Sequence, residues 1–435
     1  IRVIWQKEES LSRDEIRLLQ GDRLRKTVAH VYENIPFYKK KMDDMGIEVG
    51  DIKGIEDLNK LPFTTKQDLR DNYPYGFFAV PMKKVVRVHA SSGTTGQPTV
   101  VGYTKNDLDT WANCMARVLV GMGATEDDVV QNSLGYGFFT GGLGFHYGTE
   151  KLGATIVPIS SGNTKKQIQI MREFGSTMLV TTPSYALYLA ESIRSMGIDP
   201  ATDLKLRIGA LGAEPWSHEM RNQIEELLGI KAYDSYGLSE VIGPGVGFEC
   251  THKNHIHINE DHFIPEIINP LTLKSLPTGE SGELVFTTVT KEAMPLLRYR
   301  TRDITSLIPG ECGCGRTTIR MTKCTGRSDD MLIIRGVNVF PSQIESVLLN
   351  LGEIAPHYML IVDRVNNLDT LEVWVEGKEG ITFVDGMRYM KEIEKRITAE
   401  IQSVLGIQVK VKLVEPKSIA RSEGKAKRII DKRQL

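Results

Sequence analysis

The chain has 435 residues, too many for one ordinary hydrophobic core, so two domains or one large domain with a small appendage are expected. Its 54 Lys plus Arg against 55 Asp plus Glu leave no net field to draw in a nucleic acid or a membrane, while 41% hydrophobic and 25% charged residues describe a folded globular protein. No apolar run approaches the roughly 20 residues that span a bilayer, and residues 1–10 are too charged for a secretory signal, so a cytoplasmic location is expected.

The sequence opens on Ile rather than Met, which leaves room for residues upstream. Ser12 followed by Glu15 forms a capping-box signature, and Ile16, Leu18, Leu19, Leu24 and Val28 recur at helical spacing, predicting a long amphipathic helix. Next comes HASSGTTGQPT, residues 89–99, in which hydroxyls and glycines crowd between Ser91 and Pro98. Hydroxyls and exposed amides hold anions, and glycines let a backbone come close to one, so a phosphate loop is expected here.

Strands are predicted at 154–158, 177–181, 206–211 and 230–235, with helices at 165–173, 184–195 and 217–228 between them. Such alternation implies an α/β fold whose large N-terminal domain carries a mostly parallel sheet covered by helices. Ligands of such sheets sit in the turns at strand carboxyl ends, where the glycine-bearing turns 211–215 and 236–240 fall. Beyond Arg327 the pattern changes: strands at 331–335, 357–363, 371–376 and 409–414 and helices at 341–349 and 384–405 describe a small C-terminal α+β domain. The expected division is 1–328 and 329–435.

G-x-x-x-x-G-K-[ST], G-x-G-x-x-G, G-x-S-x-G and H-E-x-x-H are all absent, which removes support for a P-loop, a dinucleotide fold, an α/β-hydrolase and a zincin. Five other segments do form a set: SSGTTGQP at 91–98, YGLSE at 236–240, YRTRD at 299–303, GRSDD at 326–330 and Gly424-Lys425. In order and spacing they resemble the adenylate-forming enzymes, the superfamily of acyl-CoA synthetases, luciferases and adenylation domains. The phrases EDHF at 260–263, FTTVTKEAMPLLRY at 286–299 and DDMLIIRGVNVFP at 329–341 narrow the resemblance to the phenylacetate-CoA ligase family.

That resemblance implies an AMP-forming ligase of phenylacetate catabolism, which makes an acyl-adenylate from ATP and then transfers the acyl group to coenzyme A. Ser91, Ser92, Gly93, Thr94, Thr95 and Gly96 would take the β and γ phosphates, and Glu240 would ligate Mg²⁺. Gly212, Ala213, Glu214 and Pro215 would line the adenine, with Asp234, Ser235 and Tyr236 on its other face and Gly237 and Ser239 completing that turn. Asp303 would accept the ribose hydroxyls and Arg327 would reach the ribose. Lys425 would contact the carboxylate and α-phosphate, then leave as the small domain turns about a hinge at Asp329. It lies in a basic tail, seven Lys or Arg against two acids over 417–433, where Lys427 is its rival. A homodimer is compatible with the resemblance; a nucleic-acid or membrane partner is not expected.

Tyr136, Phe138 and Phe139 form an aromatic patch between glycines where an aryl ring could stack, and Ile242, Pro244 and Gly245 follow the Mg²⁺ position as an opposite wall. Five cysteines are too few, and odd in number, for a disulfide framework. Cys250, His257, Cys312 and Cys314 instead match a structural Zn²⁺ set of three sulfurs and one nitrogen, with His252, His255 and Cys324 as competing ligands. Two alternatives stay open: an adenylate-forming enzyme that serves another cofactor or a carrier protein, and an inactive nucleotide-binding scaffold.

Overall fold

The computed structural model describes residues 4–91, 98–328, 332–335, 337–351, 354–365, 368–377, 387–422, 424 and 426–433. Compactness divides the chain into two units, one of residues 1–181, 201–213 and 230–323, the other of 182–200, 214–229 and 324–435. The division expected at 328/329 follows chain order, whereas the second unit opens at Cys324 and also takes in two earlier segments.

In the first unit Ser12 caps the helix Arg13–Asn34 by accepting from the Glu15 amide, and Glu15 reciprocates. Ile16, Gln20, Leu24, Val28 and Val31 form its buried stripe. Leu18, expected in that stripe, is 75% exposed. Two residues beyond Ile16 it is rotated by roughly 200°, onto the far face.

The central sheet has nine strands among the described residues. Thr155–Val157, Val129–Asn132, Met178–Thr181, Ile208–Gly212 and Lys231–Leu238 run parallel in that spatial order. Met178–Thr181, inside this half, is buried at every position, as a strand covered on both faces must be. Gly243–Glu249, Ile256–Ile258, Arg320–Met321 and Leu307–Ile308 then extend the sheet antiparallel. A second antiparallel sheet joins Phe263–Ile268, Gly282–Thr288 and Tyr299–Thr305. Four of the five parallel strands are the ones the alternating pattern predicts; Val129–Asn132 is not among them.

Helices Lys105–Gly121 and Thr140–Leu152 pack closely, because a Cβ at Gly148 would lie 2.3 Å from that of Met115. Trp111 on the first of them stacks on Tyr103, and Lys291 places its ammonium 3.7 Å above the Tyr103 ring. Lys291 is 5% exposed and its nitrogen has no hydrogen-bond partner among the described residues. Burial draws its pKa down to about 8, with the Asp107 carboxylate pulling the other way.

The second unit has its own sheet, in the order Lys410–Val414, Leu368–Gly377, Ile354–Val365, Ile429–Asp431. Its middle pair is antiparallel and both outer pairs are parallel. Helices Pro341–Asn350 and Met387–Leu405 contribute Ile344, Leu348, Ile397 and Ile401 to a core with Leu360, Val362, Val373 and Val375. Helices Pro183–Ser195 and His218–Leu228 belong to this unit as well. No helix among the described residues is long and apolar enough to cross a membrane.

Candidate active site and thiol cluster

The glycine-bearing turn at 212 follows from the sheet. Gly212 pairs in register with Ser235 on the adjacent parallel strand, and a Cβ there would lie 2.3 Å from the Ser235 carbonyl oxygen. Only glycine fits, and Ala213 then turns the chain with a left-handed φ of 71°. On the neighbouring strand the Asp234 amide donates to Glu249, and the Asp234 carboxylate faces Lys323 at 3.7 Å. Tyr236 donates its hydroxyl to Asp303 Oδ2 at 2.5 Å, which brings the 236–240 and 299–303 segments together.

Past Gly237, whose Cβ would strike the Gly243 carbonyl, Ser239 bonds Thr140 hydroxyl to hydroxyl at 3.0 Å. Glu240 is 6% exposed and faces the Lys66 ammonium at 3.4 Å. Lys66 is not among the site residues expected from the sequence. It is the first residue of the helix Lys66–Asp71, capped by Thr65, and nothing in that local pattern points to a carboxylate so far along the chain. The hydroxyls of Thr99, Thr181 and Ser235 are buried without a hydrogen-bond partner among the described residues. Thr181 closes one parallel strand, and Ser235, opposite Gly212 where the neighbouring strand ends, is the last residue of its own to pair with it. Orphaned buried donors at strand carboxyl ends are what a bound polar ligand would complete.

Strands Arg87–Ala90 and Val100–Tyr103 pair antiparallel, and the Ser91 amide donates to the Thr99 carbonyl while the Thr99 amide donates to Ser91 Oγ. The stem of the expected phosphate loop is therefore closed. Ser92, Gly93, Thr94, Thr95 and Gly96 lie outside the described residues, as do Asp329 and Lys425.

On the expected acyl side Asn132, at the end of its strand, donates to Tyr136 Oη and to the Gly142 carbonyl. Tyr136 Oη also lies 3.3 Å from His146 Nδ1, and burial raises its pKa to about 12. Tyr136 and Phe139 are half-buried, whereas Phe138 is 74% exposed. The opposite wall is anchored by its carbonyls. Ile242 accepts from Tyr103 Oη, Pro244 from Trp111 Nε1 and Gly245 from Asn259 Nδ2.

The candidate ligand atoms of Cys250, His257, Cys312 and Cys314 all lie within 4.8 Å of one another, and all four residues are buried. Cys250 Sγ is 3.7 Å from Cys312 Sγ, and Cys314 Sγ is 3.6 Å from His257 Nε2. His257 Nδ1 meets the Thr318 hydroxyl at 3.0 Å, which leaves Nε2 for the cluster. His255, a competing ligand in the sequence, stands outside the strand Ile256–Ile258 with a left-handed φ of 67°, so the alternation of strand side chains does not place it on the face of His257. Hydrogen bonds from Cys250, His257 and Arg316 draw the Cys314 thiol well below the usual thiol range, against its burial. Arg316 in turn donates to the buried Glu9, tying the cluster to the start of the chain.

In the second unit Glu214 accepts from the Ser184 amide at 2.7 Å and from the Ala426 amide at 3.0 Å. Pro215 follows it, and Arg327 is half-buried in the short strand Gly326–Arg327. Cys324, a competing ligand in the sequence, belongs to this unit and not to the thiol cluster, and Lys427 is exposed.

Residues 45–290 match the AMP-binding enzyme family and residues 336–433 match the AMP-binding enzyme C-terminal domain. The phenylacetate-coenzyme A ligase of Escherichia coli (strain K12) is 52% identical over 98% of this chain and 97% of its own. That of Thermus thermophilus is 48% identical over 99% of this chain and 100% of its own. Among solved structures, 2-hydroxyisobutyryl-CoA ligase in the postadenylation state with R3-HIB-AMP superimposes with a TM-score of 0.92 at 28% identity, over 98% of this chain and 92% of that one.

Proposed function

We propose, from the premise that this chain belongs to the AMP-binding enzyme family, that it activates phenylacetate or a similar arylacetate with ATP and passes the acyl group to coenzyme A. In the first step a carboxylate oxygen bonds to the α-phosphorus and pyrophosphate leaves. In the second the thiol sulfur bonds to the acyl carbon, the bond to the AMP oxygen breaks, and the thiol proton is lost to solvent. Both steps build negative charge on oxygen, so preorganised donors and cations do the catalysis.

Near-full-length likeness to phenylacetate-coenzyme A ligases is the observation that carries this reading, and the strand-end geometry supports it. Asp303, oriented by Tyr236, accepts the ribose hydroxyls. Gly212, Ala213, Glu214 and Pro215 line the adenine, with Ser235 offering its orphaned hydroxyl nearby, and Arg327 reaches the ribose. Ser91 to Gly96 take the outer phosphates. Glu240, a buried carboxylate, would hold Mg²⁺, which would supply charge neutralisation at the phosphates. Lys425 contacts the carboxylate and α-phosphate in the first step, and the chain from Asp329 onward turns about that residue before the second.

Tyr136 and Phe139 face an aryl ring, with Ile242, Pro244 and Gly245 behind it. Cys250, His257, Cys312 and Cys314 would hold a structural Zn²⁺: three sulfurs and one imidazole nitrogen, buried and close together, are the donor types and number that such an ion takes. ATP and coenzyme A as substrates favour a cytoplasmic setting. The test is a panel of aromatic acids with ATP and coenzyme A, read by mass as acyl-CoA. Phenylacetyl-CoA formed with AMP is the expected product, and pyrophosphate release without any thioester would favour another acceptor.

A further inference from the structure

Residues on both sides of position 425 are held by side chains from another part of the chain. The Gly424 carbonyl accepts from Thr182 Oγ1 at 3.0 Å, and the Ala426 amide donates to Glu214 Oε2 at 3.0 Å. The other Glu214 oxygen accepts from the Ser184 amide at 2.7 Å, so one carboxylate ties 426 to the first turn of the helix Pro183–Ser195. Two residues further on, Arg428 donates to Ser184 Oγ and to Tyr358 Oη, and pairs with the buried Glu345. Glu345 accepts from Tyr358 and from the Ser217 amide as well. All these residues belong to the second unit. Thr182, Ser184, Glu214 and Ser217 come from the stretch that matches the AMP-binding enzyme family, whereas 358, 424, 426 and 428 come from the stretch that matches its C-terminal domain.

We infer that Glu214 and Thr182 are positioning residues for Lys425, forming a latch that fixes the backbone on either side of it during adenylation and opens before thioester formation. The inference rests on the reading of Lys425 as the adenylation lysine. It also gives Glu214 a task apart from lining the adenine, since both of its oxygens already accept backbone amides. A carboxylate bridging two amides of distant segments is stronger than a neutral acceptor and is lost as a unit when the segments part.

The test separates the two half-reactions in the full-length enzyme. Glu214→Gln keeps the volume and one acceptor oxygen, and it should lower phenylacetate-driven pyrophosphate exchange roughly tenfold or more. In Thr182→Ala, whose residue does not line the adenine, consumption of preformed phenylacetyl-adenylate by coenzyme A should fall less than about twofold, because the latch is open in that step. In a Lys425→Ala background the Gln substitution should add almost nothing to the loss, since its effect runs through the lysine. Thr182→Ala should repeat the exchange defect more weakly, and Thr182→Ser should restore it.

Independent, multiplying losses from Glu214→Gln and Lys425→Ala, or equal losses in both half-reactions from Thr182→Ala, would overturn the latch. Wild-type exchange in Lys425→Ala would instead sink the reading of the lysine and the latch with it. The single variant alone reports that outcome, so the two failures are told apart.

Discussion

The thiol cluster and the strand-end site are both buried and polar, yet they are finished to different degrees. Around Cys314 each group has a partner inside the protein: His257 meets Thr318, Arg316 meets Glu9, and the sulfurs and His257 Nε2 converge on one point. Around Ser235 and Glu240, the described residues leave buried hydroxyls without a hydrogen-bond partner and set the Lys66 ammonium 3.4 Å from Glu240. A cluster closed in this way keeps its shape through turnover, whereas one left open gains its last hydrogen bonds from what it binds. Damage to the first should therefore appear as lost stability, and damage to the second as lost rate.

The sharpest way to break this contrast is Cys314→Ser with metal analysis. It should remove bound zinc and cost roughly 3 kcal/mol or more in stability, seen as a lower unfolding midpoint, and a strong chelator should reproduce the shift in the wild type. The rate per folded molecule should stay near the wild-type value. Glu240→Gln should do the reverse, with pyrophosphate exchange down about 100-fold and little change in the unfolding midpoint.

Lys291 tests a third situation, a buried charge with neither a closed shell nor a place among the proposed ligand contacts. Its folded pKa, about 8, lies below the 10.5 usual for a lysine, so the unfolded state binds the extra proton between those values and stability rises with pH across that window. Lys291→Met should gain about 2 kcal/mol below pH 8 once the lost contact with the Tyr103 ring is allowed for. Denaturant curves of the two proteins should converge as pH climbs from 8 towards 10.5. The smallest effect is expected for Tyr236→Phe. Asp303 keeps its carboxylate and loses one donor, so the KM for ATP should rise by a few-fold at unchanged stability.

The same contrast marks what could be seen in the residues alone. The four thiol and imidazole positions were legible because two thiols one residue apart are a local signal, and the helix cap at Ser12 was local too. Four of the five parallel strands showed through their apolar runs, and Val129–Asn132, with two apolar residues before Gln131, did not. The antiparallel half did not: GPGVGFE at 243–249 has glycine where strand formers are expected, and Arg320–Met321 and Leu307–Ile308 are too short to leave a pattern. Lys66 beside Glu240 and Glu214 beside Ala426 were invisible for a different reason. Each pairing is made by the fold, and no spacing in the chain encodes it.

The second unit draws on three separate lengths of chain, and this bears on how the molecule could be cut. A fragment ending at residue 323 would keep the helices Pro183–Ser195 and His218–Leu228 while discarding Glu345 and Ser346, which bond the Ser217 amide and Glu219 at the head of the latter helix. Conversely, residues 324–435 by themselves would carry Arg428 without Ser184. A single scission at 323/324 would therefore part residues that hydrogen-bond one another within the second unit.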